Sequence, residues 1–124
     1  MKIQIPTTNY VTLRKQIRDY AESDDWQTWS VIWVKVKDGG KVRRLVHTPK
    51  GDDQYKDVQL KLCDPIEADR RQGKLYLDII PVKAKDSELT EEQLHEKSAI
   101  VLGRMSEMLN RYFPLLKGYK VILK

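Results

Sequence analysis

Cations and indoles, rather than nucleophiles or metal ligands, are the chemistry this chain offers, and they gather between Trp29 and Thr48. Trp29, Val31, Trp33, Lys35 and Lys37 alternate with Ser30, Ile32, Val34 and Val36. Asp38-Gly39-Gly40 then turns the chain into Lys41, Val42, Arg43, Arg44, Leu45, Val46 and His47. Alternation of period two on both sides of a Gly-rich turn predicts a β-hairpin, and a three-residue loop with Gly40 in the left-handed conformation is the natural connection. That register sets Val36 opposite Val42, Val34 opposite Arg44 and Ile32 opposite Val46 on one face. On the other, Lys37 meets Lys41, Lys35 meets Arg43 and Trp33 meets Leu45. Like charges directly opposed across strands cost about 0.2 to 1 kcal/mol per pair, so a polyanion lying on this face would relieve a penalty, as would salt.

The chemistry such a face supports is recognition of single-stranded nucleic acid, in which bases stack on aromatic rings while lysines and arginines follow the backbone. The expected contacts are Lys35, Lys37, Lys41, Arg43 and Arg44 to phosphates and Trp33 to a base, with Arg44 falling on the opposite face in this register. Trp29, Tyr55 and Tyr76 add aromatics, and Lys61 and Lys74 add cations, on or between neighbouring strands. A competing reading of the same pattern puts Trp29 and Trp33 with Val31 in a second core layer beneath the first helix, leaving only the lysines wet. The function expected is therefore non-enzymatic binding of single-stranded DNA or RNA. The alternative is a protein-interaction or homodimeric scaffold module whose cations are ordinary surface.

Other chemistries find little to work with. His47 and His95 are the two histidines; His95 lacks a second histidine four residues away, and His47 has no neighbouring cysteine or carboxylate. Cys63 stands outside any nucleophile motif, and neither a phosphate-loop nor a dinucleotide fingerprint occurs. No cofactor is expected. Gln59-Leu60-Lys61, with Asp52 or Asp53 upstream, resembles the acid, then acid-or-Gln-x-Lys arrangement of restriction-type metal-dependent nucleases. That resemblance implies carboxylate-held Mg²⁺ and a lysine beside the attacking water. A Gln-x-Lys on a solvated strand face is the commoner source of so short a pattern.

At 124 residues the chain fits a single domain over 1–124, large enough for a core without metal or disulfide staples. Lys plus Arg total 23 against 18 Asp plus Glu, a net charge of +5 that favours acidic partners. The charges are also segregated: Glu22, Asp24 and Asp25 form one acidic patch and Asp86, Glu88, Glu91 and Glu92 another, while Lys35 to Arg44 concentrates cations around Asp38 alone. One cysteine excludes an internal disulfide and suits a reducing, cytoplasmic compartment. No apolar run approaches the roughly 18 residues of a membrane span, and the first residues are too polar for a secretory signal.

These residues are positioned by an α+β pattern. A short strand at Lys2 to Ile5 ends at Pro6. A helix follows, capped by Thr8 or Thr12, with Tyr10, Leu13, Ile17, Tyr20 and Ala21 on one stripe and Arg14, Lys15 and Arg18 turned away from it. Strands are predicted at Thr28 to Lys37, Lys41 to Thr48, Asp57 to Leu62 and Lys74 to Val82. A long helix begins at Ser87 or Thr90, where Gln93 suits a capping box, and runs to Phe113 before Pro114. Tyr119 to Leu123 closes the chain as a strand. The fold expected is a single α+β domain with a mainly antiparallel curved sheet of four or more strands, an N-terminal helix, and a long C-terminal helix packed on the sheet. The apolar stripe from Thr90 to Phe113 is the candidate homodimer surface. Four consecutive strands followed by a long helix is similar in element order to the Whirly, PC4-like and PUR-type single-strand binders, and implies a sheet-borne nucleic-acid surface.

Overall fold

The computed structural model describes residues 1–7, 9–23, 26–49, 54–62, 74–82, 88–116 and 118–123. Alternating apolar residues build strands β1 (Lys2–Pro6), β2 (Trp29–Lys35), β3 (Lys41–His47), β4 (Val58–Leu62), β5 (Lys74–Pro81) and β6 (Lys120–Ile122), with helices α1 (Tyr10–Glu22) and α2 (Glu91–Tyr112). The strands join in one six-stranded antiparallel sheet of order β2-β3-β4-β5-β1-β6. The N-terminal strand thus enters between β5 and the C-terminal strand. Pro6 and Pro81 fall at strand ends, where a residue lacking an amide donor breaks no interior ladder.

One face of this sheet carries the core. Ile3, Ile5, Leu75, Leu77, Val58, Leu60, Leu45 and Trp29 meet Leu13, Ile17 and Ala21 of α1 and Val101, Leu102, Met105 and Leu109 of α2 in a single cluster. Both helices therefore cover the same side. Where the two helices end, Tyr20 stacks on Trp26 at 5.7 Å and meets Tyr112 and Phe113 at 5.0 and 5.6 Å, an aromatic knot that fixes the C-terminus of α1 over the hairpin.

Helix ends follow local hydrogen bonding. For α2, Thr90 Oγ1 accepts from the Gln93 amide at 3.1 Å while Gln93 Oε1 accepts from the Thr90 amide at 2.9 Å, the reciprocal box its sequence predicts. For α1 the cap is Asn9 rather than Thr12, and its side chain makes no capping bond; Thr8 lies outside the described residues. The apolar stripe of α2 is used inside the chain's own core, with Val101, Leu102, Met105 and Leu109 all at 0% exposure, and Ile100 is the exposed large apolar side chain on its outer side. A Cβ added at Gly103 meets nothing within 4 Å, so no close helix contact accounts for that glycine among the described residues.

The hairpin register differs from the expected one by two residues. Trp33 pairs with Arg43, Lys35 with Lys41, Val34 with Val42 and Ile32 with Arg44. The loop is Lys37-Asp38-Gly39: Gly39 takes the left-handed conformation at φ 86°, and Val36 and Gly40 close it, with the Val36 amide donating to the Gly40 carbonyl at 3.0 Å. The left-handed residue is therefore Gly39, not Gly40 as the sequence suggested. Asp38 settles it, because its Oδ1 accepts from the Gly40 amide at 2.9 Å. A slip of two preserves the face of every side chain, but it removes the Lys37–Lys41 opposition and brings Arg43 directly beside Trp33.

Candidate nucleic-acid interface

The hairpin divides into a dry base and a wet tip on one face. At the tip, Trp33 is 60% exposed, and the Arg43 guanidinium lies over its ring, 4.9 Å from the centroid. Arg43 Nη1 also approaches Glu22 Oε1, at the end of α1, to 3.4 Å. An exposed ion pair contributes about 0 to 1 kcal/mol and an exposed cation–π contact about 0.5 to 1, so Arg43 is held lightly. Lys35 and Lys41 stand opposite each other on the same face, and Lys37 lies in the turn beyond them; all three are exposed. Arg44 is half-buried on the other face, opposite Ile32. Trp33, Lys35, Lys41 and Arg43 are thus gathered, Lys37 adjoins them, and Arg44, on the other face by register, still borders the same cavity as Trp33, Lys41 and Arg43.

Between α1 and the sheet beside this tip is a concave cavity of about 330 Å³, lined among others by Arg14, Arg18, Trp33, Lys41, Arg43 and Lys61. The Arg18 Nε atom is buried without a hydrogen bond; among the described residues Asp19 Oδ1 lies 3.9 Å from it. Sequence reasoning missed the contribution of α1. Arg14 and Arg18 are one helical turn apart, a spacing that puts both on one face, but only the docking of α1 brings that face to the hairpin. Glu22, assigned by sequence to an acidic patch, pairs with Arg43 instead; Asp24 and Asp25 lie outside the described residues.

The base is buried and aromatic. Trp29 is 4% exposed and His47 5%, with ring centroids 4.8 Å apart, and Tyr55 meets His47 at 5.2 Å in a tilted arrangement. Burial pulls the His47 imidazole below its usual range; Arg104 pushes the same way, while a Thr28 backbone hydrogen bond and Glu107 oppose it. A buried imidazole lying between two aromatic rings is a packing element. The alternative of a tryptophan in a core layer therefore holds for Trp29 and fails for Trp33. Tyr76, on the face away from the helices, has the Lys2 ammonium 5.3 Å over its ring, so neither Tyr55 nor Tyr76 joins the Trp33 group.

No group of three or more His, Cys, Asp or Glu side chains comes together to hold a metal ion among the described residues. Gln59 is buried and Lys61 half-buried on β4, while Asp52, Asp53 and Cys63 lie outside the described residues. No described helix is long and apolar enough to cross a membrane. Compared with protein-family models, curated proteins and solved structures, the chain matches none, so its similarity to Whirly, PC4-like and PUR-type domains rests on element order alone.

Proposed function

We propose that this α+β domain binds single-stranded nucleic acid, without catalysis, through the tip of the β2–β3 hairpin. One observation carries the reading: a large aromatic ring left 60% exposed on the same strand face as Lys35, Lys41 and Arg43. A base stacks on Trp33 while the cations neutralise phosphates, with Lys37 extending the track past the turn. Stacking of this kind contributes about 1 to 3 kcal/mol per base. Arg44 belongs to the opposite face and takes no part in this track. The single cysteine supports a reducing, cytoplasmic setting for such a partner.

Tryptophan fluorescence tests this cleanly, because Trp26 and Trp29 are 1% and 4% exposed and only Trp33 is open to a ligand. Titration with an oligonucleotide at low salt should quench emission, and raising the salt should weaken binding with a log–log slope of about 2 to 3, given roughly 0.7 per phosphate contact. Absence of quenching at micromolar protein and low salt would exclude the interaction. The rival reading, a homodimeric scaffold on Thr90 to Phe113, has Ile100 as its exposed large apolar side chain, since Val101, Leu102, Met105 and Leu109 lie in the core and Leu94, Met108, Tyr112 and Phe113 are half-buried. Light scattering separates the two: a concentration-dependent dimer lost in Ile100→Glu favours the scaffold.

A further inference from the structure

We infer that the cavity between α1 and the hairpin seats a terminal phosphate monoester of the bound strand. The inference rests on the hairpin reading and deepens it, by giving the strand an end and a polarity. A phosphate inside a strand carries one charge, and a single lysine on an open surface matches it. A terminal phosphate carries a second charge and three free oxygens, and suits a recess into which several forked donors converge. The recess beside Trp33 supplies such donors above an aliphatic floor of Val36, Val42, Leu45, Leu60 and Leu62. Arg18 enters from α1 with its Nε buried and unbonded, Arg43 enters from β3, and Lys41 adds an ammonium at the rim. Among the described residues no carboxylate lines it. The nearby acids are Asp19, 3.9 Å from Arg18, and Glu22, 3.4 Å from Arg43, and both contacts are long enough to give way to a dianion.

The geometry also explains why Trp33 is exposed where it is. The ring forms part of the cavity wall, so a phosphate held by Arg18 and Arg43 places the first nucleotide's base within reach of the indole. Lys35 and Lys37 then receive the following phosphates toward the hairpin tip.

The test compares three internally labelled oligothymidylates of equal length, ending in a 5′-phosphate, in a 3′-phosphate, or in hydroxyls at both ends, by fluorescence anisotropy. One phosphorylated end should bind about tenfold more tightly than the hydroxyl-ended strand, as one added charge-assisted contact would give. That preference should shrink below pH about 6, where the monoester loses its second charge, while hydroxyl-ended binding serves as the control at each pH. Arg18→Gln should weaken the phosphate-ended strand more than the other and erase the difference. Arg43→Lys, which keeps the charge and loses the fork, should reduce it, and carries the comparison if Arg18→Gln does not fold. Equal binding of all three strands, or a preference that survives both substitutions, overturns the assignment and leaves the hairpin reading standing. No binding of any strand removes both.

Discussion

Trp29 and Trp33 share a strand, a face and a residue type, yet one is 4% exposed and the other 60%. The difference lies in what covers them. Trp29 joins the cluster that includes Ala21 and Trp26, where α1 ends and the aromatic knot begins, whereas β2 continues past that cover and carries Trp33 out with it. At the base the neighbours are His47 and Tyr55; at the tip they are Arg43 and the Lys35–Lys41 pair. One alternating pattern therefore produces a wall of the core and a candidate binding surface, and the boundary between them is set by tertiary docking.

Truncating each indole should separate the two regions most sharply. Trp29→Ala should cost about 3 to 5 kcal/mol of stability, as for other buried tryptophans, measured by urea unfolding. Trp33→Ala should change stability by no more than about 0.5 kcal/mol but weaken oligonucleotide binding by about 1 to 3 kcal/mol, measured by anisotropy. Equal destabilisation by the two substitutions would dissolve the distinction between base and tip.

Smaller changes sharpen it. Lys41→Gln removes the like-charge opposition with Lys35, so it should raise stability by about 0.2 to 1 kcal/mol while lowering the salt slope of binding by about 0.7. The smallest effect should be a pH dependence confined to the base. Because the folded-state pKa of His47 is lowered, the unfolded chain binds the proton more readily. Stability should therefore fall as pH drops below the unfolded value of about 6.5, and stop falling from this source below the folded one. The urea midpoint of His47→Gln should vary less than that of the parent across this window.

The sheet and helices were legible in the sequence because their signals are local. Period-two alternation placed β2, β3, β4 and β5 to within a few residues, Leu13, Ile17 and Ala21 marked the inner side of α1, and Thr90 with Gln93 marked the start of α2. The N-cap of α1 was misplaced because Thr8, Asn9 and Thr12 all suit that position by residue type, and Asn9, which takes it, makes no side-chain capping bond. The hairpin register was set two residues off because the left-handed place was given to Gly40, whereas Gly39 takes it at φ 86° and Asp38 bonds the Gly40 amide. Of the candidate site, the hairpin cations and Trp33 were readable as one face. The contributions of Arg14, Arg18 and Glu22 were not, since a helix pattern shows which side is polar but not which strands that side will adjoin.

The strand that carries Trp33 is also the last in the sheet, so among the described residues no strand neighbours its outer backbone amides and carbonyls. Exposed edges of this kind invite another chain to add itself, and lysines along them are a common deterrent. Lys35 and Lys37, at the free end of β2 and in the turn beyond it, thus also limit self-association, and neutralising them would be expected to promote aggregation as well as to weaken ligand capture.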